Sequence, residues 1–158
     1  MKKLCKKIVT KLIKKKIKIT FAESCTGGLL SSAITSVKGS SKVFNLGLIT
    51  YSNPSKINLL RISKEKIKKY GSVSKQVCFE MARNASKIGK TSMSVSITGV
   101  AGPDGGTENK PVGLVYIGLS DMNKTEVRKF NFSSDRKKNK LKTSQVALDW
   151  LRLTLINE

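Results

Sequence analysis

The residues best equipped for chemistry stand together at positions 22–28, Ala-Glu-Ser-Cys-Thr-Gly-Gly. They follow a short apolar run, Ile17 to Phe21, and precede a run with helical spacing. Two hydroxyls, a thiol and two glycines therefore crowd a strand-to-helix turn. A helix N-terminus offers free N–H groups and the positive end of a dipole. Such a turn can cradle an anion, or expose Ser24 or Cys25 beside donors that stabilise an oxyanion. From these residues alone, a phosphate cradle, a thiol site and a capped turn all stay open.

The chain has no histidine. That removes Ser-His-Asp and Cys-His catalysis, and leaves lysine as the base a serine could use. Lysine serves when burial or neighbouring cations lower its pKa. Lys56 follows the turn Tyr51-Ser52-Asn53-Pro54 and could point back toward a strand end. Tyr51 could relay a proton or hold lysine and serine in register. A third polar segment, Thr98 to Thr107, carries Gly99, Gly102, Gly105 and Gly106. It lacks the Gly-Lys-Ser/Thr of a phosphate-binding P-loop and fails the GxGxxG dinucleotide pattern. Its glycines allow a backbone to approach a ligand closely.

The elements that must position these segments follow from periodicity. A helix is predicted over about 3–15, with Leu4, Ile8, Leu12 and Ile13 on its apolar face. A strand over Ile17–Ala22, a helix over Gly27–Ser36 and a strand over Val43–Tyr51 come next. Short helices are expected at Ser55–Leu60 and from Ser63 to Lys69, then a longer one from Ser74 to Gly89 that buries Cys78 and Met81. Ser92–Thr98 alternates, with Met93, Val95 and Ile97 on one face and serines on the other. Strands over Val112–Leu119 and Glu126–Phe132 and a helix from Asp135 to Ile156, burying Leu141, Val146, Leu148, Leu151 and Leu155, complete the chain. This order predicts one α/β domain over 1–158, a three-layer α/β/α sandwich with a mixed sheet. The three polar segments each follow a strand, where α/β sheets hold ligands.

Composition bounds the partners. The net charge of +21 comes mainly from lysine; the arginines are Arg61, Arg83, Arg128, Arg136 and Arg152. Without an Arg-rich, aromatic-interleaved cluster, specific nucleic-acid binding is not expected, though salt-sensitive attraction to polyanions is. Cys5, Cys25 and Cys78 have neither metal-ligand nor CxxC spacing, so no metal site and no cofactor are expected. They read as reduced thiols of a cytoplasmic protein. No apolar run of about 18 residues marks a membrane span, and lysines interrupt any signal-peptide core. The first helix is expected to pack on its own sheet rather than on a membrane. A homo-oligomer is compatible with all of this.

The segments FAESCTGGLLSSAIT, GSSKVFNLGLITYSNPSKINLL, YGSVSKQV and SITGVAGPDGGTENKPVGLVYIGL, with the weaker SSDRKKNK, cover about residues 20–140. In them the chain resembles the CinA C-terminal domain family, the nicotinamide-nucleotide amidohydrolases of the PncC type. The resemblance implies metal-independent deamidation of nicotinamide mononucleotide to nicotinate mononucleotide and ammonia, in pyridine-nucleotide recycling. It implies Ser24 as nucleophile, with Lys56 and Tyr51 assisting. Glu23, Thr26, Gly27, Thr98, Gly99, Gly102, Gly105, Gly106 and Arg136 would meet the substrate. Oxyanion donors are expected among the N–H groups of Cys25 to Gly27. Relatives usually carry Gly-Asp-Arg where this chain has Ser134-Asp135-Arg136, and an arginine where Lys140 stands; lysine replaces its charge but not its bidentate fork. Larger relatives also carry an N-terminal molybdopterin-binding-like domain that these residues do not match, so only the amidohydrolase role is expected. The competing readings are a nucleotide-binding regulatory module without turnover and a basic nucleic-acid-associated protein.

Overall fold

The computed structural model describes residues 1–157. A five-stranded mixed sheet lies between two helical layers, as expected. Its strands are β1 (Ile19–Glu23), β2 (Phe44–Ile49), β3 (Met93–Gly99), β4 (Leu114–Ser120) and β5 (Thr125–Asn131), in the order β2-β1-β3-β4-β5. β1 pairs parallel with both β2 and β3, whereas β3–β4 and β4–β5 are antiparallel. The consequence for function is geometric. Three neighbouring strands deliver their carboxyl ends to one end of the sheet, and the three polar segments follow those strands.

One layer holds α1 (Lys2–Lys15), α2 (Leu29–Thr35) and α6 (Arg136–Asn157); the other holds α3 (Asn53–Leu60), α4 (Lys64–Tyr70) and α5 (Lys75–Gly89). A short 3₁₀ turn, Ser40–Lys42, precedes β2. In α1 the buried face is Cys5, Ile8, Val9 and Leu12, while Ile13 is exposed. The apolar stripe is thus rotated from the expected one, and the lysines ring the outside. The face that could have met a membrane is spent on the core. Among the described residues no helix is long and apolar enough to cross a membrane.

β3 shows how a half-polar strand is buried. Its side chains alternate between apolar and polar, yet Met93 through Thr98 are all buried. α5 lies over the serine side, where Ser94 Oγ donates to the Ala82 carbonyl (2.6 Å) and Ser96 Oγ to that of Cys78 (2.7 Å). Small hydroxyls let the helix sit close, and each finds a backbone partner, as buried polar groups must. Cys78 and Met81 are core residues, as the spacing predicts. Leu141 is not; it stays exposed near the start of α6.

Candidate active site

The turn after β1 is built around Glu23. Its fully buried carboxylate accepts from the N–H groups of Gly28 (3.1 Å), Leu30 (3.0 Å) and Ser31 (2.8 Å), and from Ser31 Oγ (2.7 Å). A carboxylate at a helix N-terminus neutralises the donors that the first turn leaves open. Glu23 is therefore the brace of α2. In this structure its carboxylate oxygens accept from the start of α2. Gly28 sits at φ 93°, and a Cβ there would come within 2.9 Å of the Ile49 side chain. The turn is thereby pressed against the end of β2. Backbone bonds lock the ensemble: Ser24 N–H donates to Ile97 O (3.0 Å) and Thr50 N–H to Glu23 O (2.8 Å).

β2 then hands the chain to α3. Ser52 caps this helix, accepting from Ser55 N–H (3.2 Å), while Ser55 Oγ accepts from Ser52 N–H (3.1 Å). Pro54 fits the first turn, where a missing N–H costs nothing. The reciprocal cap starts α3 at Asn53, two residues earlier than the sequence suggests. Lys56 stands one turn in. Helical side chains lean toward the N-terminus, so it reaches back over the strand end.

Lys56 is only 2% exposed, and among the described residues it is the one buried lysine. Its Nζ lies 2.9 Å from Ser24 Oγ and donates to the Thr50 carbonyl at 2.8 Å. No described carboxylate pairs with it. Burial without a counter-ion penalises the ammonium, and the pKa falls from 10.5 to about 8. At pH 7 roughly one Lys56 in ten is then neutral, against roughly three in ten thousand for an ordinary lysine. Cys25 lies beside Ser24, but burial pushes its thiol up to about 11. A thiol so placed is a poor source of thiolate at neutral pH.

These groups open onto a cavity of about 250 Å³. Ser24, Cys25, Tyr51 and Lys56 form one wall, and the loop from Thr98 through Gly105 forms the other, with Arg136 at the rim. Arg136 Nη1 donates to Gly102 O (2.7 Å) and Nη2 to the Tyr51 hydroxyl (2.6 Å). Tyr51 is 56% exposed and makes no hydrogen bond to Ser24 or Lys56. The neighbouring Thr50 carbonyl, not Tyr51, is what Lys56 Nζ bonds in this structure. Gly99 admits no side chain, since a Cβ there would sit 2.6 Å from Leu114 O.

Of the residues singled out from sequence, Ser24, Tyr51, Lys56, Thr98, Gly99, Gly102, Gly105 and Arg136 share this cavity; Glu23, Thr26, Gly27 and Gly106 do not line it. Thr26 is fully buried, and its Oγ1 has no hydrogen-bond partner. Gly106 is exposed on the outer part of the loop. Thr98 Oγ1 donates to Ser72 O (2.9 Å), so its hydroxyl proton holds the α4–α5 connection. Ser72, Val73 and Asp104 line the cavity without having been picked out. Ser72 and Val73 lie in the α4–α5 connection, inside the segment YGSVSKQV that carries part of the resemblance, but nothing in their spacing marked them as cavity residues. Among the described residues no cluster of three or more His, Cys, Asp or Glu could hold a metal ion.

Residues 1–155 match the model of the CinA C-terminal domain, and the chain belongs to that family. It is 48% identical over 150 residues to a competence-damage inducible protein of Caldicellulosiruptor saccharolyticus, covering 95% of this chain and 36% of the relative. It is 49% identical over 145 residues to a CinA-like protein of Endomicrobium trichonymphae, covering 92% of this chain and 34% of that one. The chain thus spans about a third of the length of these relatives. Among solved structures, the competence/damage inducible protein CihA of Agrobacterium tumefaciens superposes with a TM-score of 0.95 at 34% identity, covering 99% of this chain and 95% of that chain.

Proposed function

We propose that this domain is an amidohydrolase of the Ser-Lys kind, acting on the carboxamide of nicotinamide mononucleotide. The observation that carries the reading is the buried, unpaired Lys56 amine 2.9 Å from Ser24 Oγ. Neutral Lys56 has two N–H groups and one lone pair. The Thr50 carbonyl takes one N–H, which helps turn the lone pair toward Ser24. Lys56 Nζ then accepts the Ser24 proton as Oγ attacks the amide carbon. The carbonyl oxygen becomes an oxyanion. The N–H groups of Cys25 and Thr26 enter no backbone bond and are candidate donors to it; that of Gly27 is already taken by Ser24 O at 3.0 Å. As the carbon–nitrogen bond breaks, the Lys56 ammonium returns the proton to the departing nitrogen, releasing ammonia. Water attacks the ester on Ser24, again giving a proton to Lys56. Collapse releases nicotinate mononucleotide and restores the Ser24 hydroxyl.

A cavity of about 250 Å³ suits a small ring rather than a polymer. The loop from Thr98 to Gly105 and the Arg136 guanidinium would receive the ribose and phosphate. The test is ammonia release from nicotinamide mononucleotide by the protein and its Ser24→Ala variant. Turnover in the first and a loss of at least about a thousandfold in the second support the proposal. Binding without turnover in the unaltered protein would instead favour a regulatory module. Equal turnover by both would refute the mechanism.

A further inference from the structure

The glycine-rich loop is held in an unusual way. From Ala101 to Gly106 no residue makes a backbone–backbone hydrogen bond. Among the described residues, the stretch is hydrogen-bonded only by two side chains of one helical turn of α6. Arg136 donates to Gly102 O at 2.7 Å, and Asn139 Nδ2 donates to Ala101 O at 3.1 Å. Arg136 is exposed, so water and ligand compete for it. Asn139 is 1% exposed, so its bond forms in a dry, low-dielectric setting where it counts for more.

Asn139 also donates from Nδ2 to Ser134 O at 2.7 Å. Both neighbours are carbonyls, and only the NH₂ end of the amide can donate to them. Its other end is left over: Oδ1 is buried without a partner. A buried amide with an orphan oxygen is costly, more so than an apolar side chain of the same size. What the amide supplies in exchange is the pair of bonds that ties the loop to the start of α6.

We infer that Asn139 is a positioning residue, acting through the Ala101 carbonyl to hold the loop wall against Ser24 and Lys56. It touches neither reacting group. The dyad sits in the turn just after β1 and on α3, so losing the tie loosens the ligand wall and leaves the Ser24–Lys56 pair in place. The kinetic part of this inference rests on the amidohydrolase reading; the structural part does not.

The test compares the full chain with Asn139→Ala and Asn139→Leu. Amide hydrogen exchange is read at Val100 and Gly113, whose N–H groups bond to Leu114 O (2.8 Å) and Val100 O (2.7 Å) at the base of the loop, without ligand. The expected result is exchange about tenfold faster there, equivalent to one lost hydrogen bond, with β1 and β2 unchanged. Steady-state kinetics with nicotinamide mononucleotide then show KM raised about tenfold, kcat changed less than threefold and an unshifted pH profile. A residue that only supported folding would lower the active fraction, and so kcat, without moving KM. Unchanged exchange at Val100 and Gly113 in either folded variant overturns the inference, whatever the activity. Absence of turnover in the unaltered protein would sink the amidohydrolase reading and leave exchange to decide about Asn139. Should neither variant fold, the Asn139 side-chain NH₂ protons of the unaltered protein are read by NMR. Protection from exchange supports the inference, and free exchange overturns it.

Discussion

Replacing Lys56 by methionine should change how stability depends on pH, with a size set by its burial. The amine titrates at about 8 in the folded protein and, by its ordinary value, near 10.5 when unfolded. Below pH 8 it is charged in both states, and folding bears the full desolvation penalty. A shift of about two and a half units corresponds to about 3 kcal/mol. As pH rises from 8 toward 10.5, the unfolded chain holds the proton that the folded chain has released, so this penalty on folding fades. Stability of the natural protein relative to Lys56→Met should therefore climb by about 2–3 kcal/mol between pH 7 and pH 10. Other lysines titrate too, but they are common to both proteins and cancel in the difference. Methionine also leaves Thr50 O and Ser24 Oγ without a partner, at about 1 kcal/mol each. That cost shifts the difference at every pH and does not alter its slope. Urea unfolding of both proteins at pH 7, 8, 9 and 10, followed by circular dichroism, measures it. A difference flat within about 0.5 kcal/mol across that range would refute a desolvated Lys56.

Three further outcomes follow from the same geometry. Because the base must be neutral, kcat/KM for nicotinamide mononucleotide should rise with pH through an apparent pKa near 8 and then level; a profile flat from pH 6 to 9 would contradict Lys56 as base. Tyr51→Phe should raise KM about three- to tenfold, since its hydroxyl meets Arg136 at the rim; a kcat loss of a hundredfold would restore it as a proton relay. Glu23→Ala should cost about 3 kcal/mol or more in urea unfolding, because four donors lose one buried carboxylate; a loss under about 1 kcal/mol would show that α2 does not depend on it.

Much of the fold was legible because period and punctuation agree. Gly71 and Gly89 end helices where expected, and Ser52, Ser63 and Ser74 cap them. The sheet's parallel core was readable from strands alternating with helices. The partners of the β3 serines were not, since alternation cannot show that Ser94 and Ser96 would donate to the Ala82 and Cys78 carbonyls of α5. Nor could spacing fix the rotation of α1, where Cys5 and Val9 displace Ile13 from the core. At the site, Ser24 and Lys56 were singled out through the missing histidine, the turn Tyr51-Ser52-Asn53-Pro54 before the lysine and the family resemblance, and the structure sets them 2.9 Å apart. The resemblance places Glu23 at the substrate, and spacing could not show that its carboxylate turns to four donors at the start of α2. Asn139 carried no signal at all. Its partners, Ala101 and Ser134, are backbone carbonyls, and side-chain type says nothing of where those point.

The central claim is that Ser24 attacks the carboxamide with Lys56 as its base. It is tested most directly by mixing protein and nicotinamide mononucleotide, quenching in acid within the first turnover, and mapping the adduct by mass spectrometry. The account predicts a nicotinoyl-nucleotide ester on the peptide containing Ser24, absent from Ser24→Ala and strongly reduced in Lys56→Met. An adduct on Cys25, or undiminished turnover by Ser24→Ala, would contradict it.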